Sequence, residues 1–131
     1  MNEYRLEVFK KAALCRHFEN QAYKAIQDKH IKYPAYLSAG QEFISCSIAT
    51  ILEQIKIKPD IFIQHRGHST YLAFGGNIDS LILELIGDSR GCANGMGGSA
   101  SIQCKEKNIY GHDGLMGNQI PIAVGACFAK R

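Results

Sequence analysis

Hydrophobic residues recur at close to helical spacing over residues 3–29, where Leu6, Phe9, Ala13, Leu14, Phe18, Ala22, Ala25 and Ile26 alternate with charged positions. Neither Gly nor Pro interrupts them before Pro34, so the pattern predicts one long amphipathic helix. Residues 1–35 read as an N-terminal helical arm whose single apolar face needs a body or a partner to pack against. A second helix is expected over residues 41–55, with Ile44, Ile48, Ile51, Leu52 and Ile55 on one side and Lys58-Pro59 as its stop. Asp60-Ile61-Phe62-Ile63 reads as a short buried strand. Residues 70–74 predict a short helix, and residues 78–86 another, with Ile78, Leu81, Ile82, Leu85 and Ile86 as its apolar face and Gly87 as its end.

Between residues 87 and 99 five glycines fall in thirteen positions. That density excludes a regular element and suits a loop whose backbone approaches something closely. Residues 102–110 fit no single element. A final helix is expected over residues 119–130, with Pro121 tolerated in its first turn, after the turn Gly111-His112-Asp113-Gly114-Leu115-Met116-Gly117. These elements predict an α/β fold with helices around a small parallel sheet, in one domain over residues 1–131 and without an internal repeat.

For 131 residues, a hydrophobic fraction of 46% supplies a core of ordinary size. No apolar stretch approaches the roughly 20 residues that a hydrocarbon layer requires. A membrane is therefore not an expected partner, and the charged segment after Met1 lacks the pattern of a secretory signal, which gives the expectation of a cytoplasmic protein. The net charge is only +3, from 15 Lys and Arg mixed with 12 Asp and Glu, so nucleic acid is not expected as a partner either. Five cysteines form no CxxC pair and suggest neither a disulfide framework nor a zinc site; most are expected to be small buried apolar residues.

Three polar segments have a chemical use beside a plainer one. His65-Arg66-Gly67-His68 follows the expected strand directly, where open α/β sheets place ligands, and Arg66 presents a fork of donors that matches a phosphate. The plainer reading is a solvated turn. Gly91-Cys92-Ala93-Asn94-Gly95-Met96-Gly97-Gly98-Ser99 is either a surface loop or a set of backbone amides around an anion. It does not fit the GxxxxGK[ST] pattern of a nucleoside-triphosphate loop. His112-Asp113 stands at a turn tip, where adjacent side chains rarely face each other, so an acid/base pair there has little support.

In this order the segments resemble the alpha subunits of thiamine-diphosphate-dependent 2-oxo acid dehydrogenases, the pyruvate, branched-chain and acetoin members. Ser38-Ala39-Gly40-Gln41-Glu42 is similar to that family's SxGQE helix start, and His65-Arg66-Gly67-His68 to its Tyr/His-Arg-x-His-Gly segment. Gly91 through Ser99 resembles GCxxGxGGS, and Gly114-Leu115-Met116-Gly117-Asn118-Gln119-Ile120-Pro121 resembles GIVGxQxP. The spelling at residues 65–68 leans towards the acetoin-type members. The likeness covers nearly the whole chain and implies the N-terminal portion of a thiamine-diphosphate-binding fold.

What the resemblance implies is specific. Arg66, with His65 beside it, would contact the cofactor diphosphate, and His68 would line the same site as a catalytic residue. Backbone groups of Gly114 and Met116, with Leu115 between them, would meet the aminopyrimidine, and Met116 would wedge the cofactor into its bent form. The enzyme would decarboxylate a 2-oxo acid, or cleave acetoin, and pass the acyl group to lipoyl. Its partners would be a beta subunit, in a heterotetramer, and the lipoyl-bearing acyltransferase.

The chain departs from that pattern in three places. Ser99-Ala100-Ser101 replaces a Ser-Met-His, so an imidazole is missing there. His112-Asp113 replaces a Gly-Asn. The GDG motif and following Asn that hold Mg2+ in the family do not occur, so no metal ligand is expected in this chain, and the 131 residues alone are expected to be inactive. The alternative expectation is a non-catalytic interaction or scaffold fragment that has lost cofactor binding.

Overall fold

The computed structural model describes residues 3–111 and 114–130. Helix α1 spans Glu3–Gln27 and helix α2 Glu42–Gln54. Strand β1 is Ile61–Phe62, helix α3 His68–Ala73 and helix α4 Ile78–Leu85. A 3-10 turn at Lys105–Lys107 leads to strand β2, Ile109–Tyr110, and helix α5 is Gln119–Ala129. The residues at 112 and 113 singled out in the sequence lie outside the described residues.

Helices α1, α2 and α3 pack on one another around a single core. The buried side of α1 is Val8, Ala12, Cys15, Phe18, Glu19 and Ala22, at helical spacing. Phe9 and Leu14, expected on the inner face, are exposed. In α2 the difference is larger: the core receives Cys46, Ala49 and Thr50, whereas Ile44, Ile48, Ile51 and Ile55 face outward. Small residues account for this. Ala12 and Cys15 share the core with Cys46 and Ala49, the sulfurs of Cys15 and Cys46 lying 3.9 Å apart, and such a seam of small residues lets two helices approach more closely than bulky isoleucines permit.

The region from residue 102 to 110, which the sequence left open, completes the sheet. Asn108 ends the 3-10 turn in the left-handed region at φ 53°, and its carbonyl accepts the Ile61 amide at 2.8 Å. Strands β1 and β2 then run parallel, Ile61 beside Ile109 and Phe62 beside Tyr110, whose rings stack 4.7 Å apart. The result is a helix-rich α/β arrangement with a two-stranded parallel sheet. Helix α4 starts at Asn77, whose side chain accepts the Ser80 amide, and stops at Gly87, φ 80°.

Helix α5 buries none of its side chains, and Ile120, Ile122, Val124 and Phe128 are exposed. Lys130, just past its end, pairs with Asp60 at 2.5 Å beside β1. No helix among the described residues is long and apolar enough to cross a membrane. The cysteine expectation holds for Cys15 and Cys46 alone: Cys92 and Cys104 are half-buried and Cys127 is exposed. Their exposure follows from the 91–104 segment lying at the surface and from the uncovered state of α5.

Candidate functional site

At the carboxyl end of β1 the chain turns through Gln64, His65, Arg66 and Gly67 into α3. The turn is tight and favours glycine, since a Cβ at position 67 would lie 2.7 Å from Ile63 Cδ1 and 3.0 Å from the Gln64 carbonyl. This geometry sends the three polar side chains to different environments. Arg66 is exposed, and its Nη1 donates to the Leu37 carbonyl at 2.8 Å. Among the described residues no carboxylate pairs with it, which leaves the rest of the guanidinium fork to solvent. The half-buried His65 ring meets the edge of Tyr36 with centroids 4.9 Å apart.

His68 is fully enclosed. Its Nδ1 lies 3.2 Å from Glu19 Oε1 on α1, and its Nε2 is 2.7 Å from the Ser99 hydroxyl. Phe18 covers the ring edge-on. Glu19 also accepts the Ser38 hydroxyl at 2.5 Å and the Ser38 amide at 3.1 Å, while Ser38 and Ser69 share a hydrogen bond of 2.6 Å. Burial by itself pushes the Glu19 carboxyl up, but the hydrogen bond and charge of His68, with Ser38, outweigh it and hold the group below its ordinary value. Ser99 additionally accepts the Tyr36 amide at 2.8 Å, so one hydroxyl joins His68 to the segment that carries the Tyr36–His65 contact.

The SxGQE-like segment thus has a structural use. Ser38 belongs to the enclosed network, and Glu42 receives Arg16 through both carboxylate oxygens, at 2.5 and 3.0 Å, and the Gly40 amide at 2.9 Å. Arg16 holds the Glu42 carboxyl below its ordinary value. Gly40 has φ 96°, the left-handed conformation that favours glycine.

Gly114, Leu115 and Met116 lie in the turn before α5. Gly114 has φ 94°, none of the described residues beyond its chain neighbours stands within 4 Å of the place its Cβ would take, and Met116 is 80% exposed. An open groove of about 730 Å³ runs between this turn's helix and the strand end, lined by Phe62 and Gln64 on one side and Gln119, Ile120, Ala123 and Val124 on the other. It therefore lies between the two segments that the sequence singled out, although neither Arg66 nor Met116 lines it. His68 is separated from the groove by its burial.

The glycine loop resolves its two readings in favour of amides around an anion, and the anion is internal. Glu84, enclosed on α4, accepts the amides of Ala93, Gly95, Gly97 and Gly98 at 2.7–2.9 Å. Sequence reasoning missed Glu84, as it missed Glu19. The available signal was a lone carboxylate within the apolar run Leu81-Ile82-Leu83-Glu84-Leu85-Ile86, just ahead of the glycines. Among the described residues no group of three or more His, Cys, Asp or Glu side chains is placed to hold a metal ion.

Over residues 10–131 the chain matches the dehydrogenase E1 component family. It is 32% identical over 126 residues to the pyruvate dehydrogenase E1 component subunit alpha-1, mitochondrial, of Oryza sativa subsp. japonica, a match covering 96% of this chain and 32% of that protein. The protein of the same description from Arabidopsis thaliana matches at 32% with the same coverage. The pyruvate dehydrogenase E1 component subunit alpha of Rickettsia bellii (strain RML369-C) is 28% identical over 132 residues, covering 100% of this chain and 39% of that protein. The chain spans about a third of the length of the plant relatives.

One expectation is overturned here. The cytoplasmic assignment conflicts with the rice and Arabidopsis relatives, which are mitochondrial proteins. It rested on a missing secretory pattern, and the absence of that pattern carries no information about which aqueous compartment a chain occupies. With a match from residue 10 to 131, and relatives above 30% identity across nearly all of its length, the chain belongs to the dehydrogenase E1 component family.

Proposed function

We propose that this chain is the N-terminal portion of the alpha subunit of a thiamine-diphosphate-dependent 2-oxo acid dehydrogenase, with pyruvate as substrate and lipoyl as acceptor. The observation that carries the reading is Arg66: a guanidinium exposed at the carboxyl end of a parallel strand, steadied by Leu37 and without a carboxylate partner among the described residues. Pyruvate is favoured because the relatives are pyruvate dehydrogenase subunits.

The residues present fit the organic cofactor. Arg66 supplies cationic charge and forked donors for a diphosphate, with His65 beside it. The open backbone at Gly114 leaves room for a flat ring, and the exposed thioether of Met116, next to Leu115, is suited to fill the crook of a bent ligand. When bound, thiamine diphosphate supplies the nucleophile and the electron sink for decarboxylation. We assign Arg66 to hold the diphosphate and Met116 to fix the bend. With both ring nitrogens engaged, His68 is assigned to positioning, holding the strand-end turn against α1 through Glu19. Mg2+ finds no ligand set among the described residues. A beta subunit and a lipoyl-bearing acyltransferase are the proposed partners.

The test is calorimetric titration of thiamine diphosphate into the subunit assembled with its beta partner. Replacing Arg66 by Ala should weaken binding by about 1.5–3 kcal/mol, the worth of a charge-assisted contact. Unchanged affinity rejects the assignment. Carbon dioxide release from pyruvate, against cleavage of acetoin by the same preparation, decides the substrate.

A further inference from the structure

The carboxylate of Glu84 is held in an unusual way for a side chain on an amphipathic helix. Its Oε1 accepts the amides of Gly97 and Gly98 at 2.8 and 2.9 Å, and its Oε2 those of Ala93 and Gly95 at 2.7 and 2.9 Å. Each oxygen thus takes two N–H donors, a set that suits an acceptor-only anion and leaves no partner for a carboxyl proton. Asn94, Gly95 and Gly98 have positive φ values of 57°, 72° and 52°, left-handed conformations that let the loop turn its amides towards one anion. The remaining glycines let the loop lie on α4. A Cβ at Gly91 would stand 2.6 Å from the Glu84 Cα, and one at Gly95 would stand 2.7 Å from the Gly87 carbonyl.

We propose that the glycine loop is an anion nest whose resident anion is the chain's own Glu84, and that this carboxylate is a positioning residue for the strand-end site. The nest ends at Gly98, and the next residue is Ser99. Ser99 is buried, accepts the Tyr36 amide at 2.8 Å and stands 2.7 Å from His68 Nε2. Tyr36 in turn packs on His65, and Leu37 receives Arg66. Fixing the loop on Glu84 therefore fixes the hydroxyl on which both His68 and the residue 36–37 segment depend. The consequence for Arg66 rests on the cofactor reading above; the nest itself does not.

The nest is tested by replacing the tethered anion with a free one. Glu84→Ala leaves four convergent amides around a void of carboxylate size, so acetate should enter it where the neutral isostere acetamide should not. The variant should lose several degrees of thermal midpoint and lose amide-exchange protection at residues 93, 95, 97 and 98. Acetate should restore part of both, acetamide neither, and wild type should respond equally to the two. If Glu84→Ala does not fold in plain buffer, refolding in acetate but not in acetamide is the same result. Glu84→Gln, which keeps the volume but turns an NH2 towards two donors, should be unprotected and unresponsive to acetate. A Glu84→Gln variant as protected as wild type, or equal effects of acetate and acetamide on Glu84→Ala, rejects the nest.

The positioning role is read from thiamine diphosphate affinity in the assembled subunits. Glu84→Ala should bind about tenfold more weakly, the equivalent of one displaced hydrogen bond, and acetate should recover it. If Arg66→Ala weakens binding and Glu84→Ala without acetate does not, the positioning role is wrong. If Arg66→Ala itself has no effect, the cofactor reading fails while the acetate result still decides the nest.

Discussion

His68 and Glu19, 49 residues apart in sequence, meet at 3.2 Å with both side chains enclosed, so that α3 is tied to α1 through a polar pair inside the core. A buried acceptor that holds an imidazole and a serine hydroxyl is difficult to remove. Glu19→Ala strands both partners and should lower the stability of the chain by about 2–5 kcal/mol in urea unfolding. A loss below about 1 kcal/mol would show that the pair does not contribute as drawn.

Acid should weaken the fold through the carboxylates that the structure holds charged. Arg16 lowers Glu42 below its ordinary value, and His68 with Ser38 does the same for Glu19 against the opposing effect of burial. A carboxyl lowered in the folded state contributes stability above its unfolded value, near about 4.3 for Glu, and loses it as pH falls through the folded value. Urea midpoints should therefore decline below that range. Glu42→Gln should be less stable at neutral pH and show a shallower decline, and an unchanged slope would remove Glu42 from the account.

Part of this arrangement was legible in the sequence. Apolar periodicity with its breaks at Gly and Pro gave the five helices to within a few residues, and the apolar run Ile61-Phe62-Ile63 followed at once by a polar turn gave the strand end with Arg66. The direction in which α2 faces was not legible. Hydrophobicity favours Ile44, Ile48, Ile51 and Ile55 as the inner side, but packing distance is set by the smallest residues, and Cys46 and Ala49 are what the seam with Ala12 and Cys15 accommodates. Nor was the anion of the glycine loop. The nest was readable from the glycines, while its occupant sits on the preceding helix, where local pattern places a carboxylate outside. Glu19 was illegible for the same reason, since its partners arrive from positions 38 and 68.

Met116 should separate binding geometry from folding. Its side chain is 80% exposed, so Met116→Ala should change stability by less than about 0.5 kcal/mol. In the assembled subunits the same variant should slow turnover at saturating thiamine diphosphate more than it weakens cofactor binding. A wedge that shapes a bound ligand acts on reactive geometry more than on affinity. Normal turnover at saturation would remove Met116 from the proposed site.

The outward turn of α2 gives the sharpest contrast between expectation and structure, and one pair of variants decides it. If the isoleucine stripe faces solvent in this chain, Ile48→Ser and Ile51→Ser each remove apolar surface of which folding leaves about half exposed. Either should change the urea midpoint by less than about 0.5 kcal/mol, and both should reduce self-association, because 49% of Ile48 and 46% of Ile51 are exposed beside the similarly exposed Ile44 and Ile55. Ala49 stands on the opposite side of the helix and is fully enclosed at the seam with α1. Ala49→Leu adds three carbons where the helices approach closely, which should destabilise by about 1–3 kcal/mol through forced separation of the seam. If the stripe faced inward instead, the order would reverse: the serine variants would be the damaging ones, and leucine at position 49 would be a surface change of little effect. Measuring the variants in urea at low protein concentration, with light scattering for association, distinguishes the two arrangements without reference to any ligand.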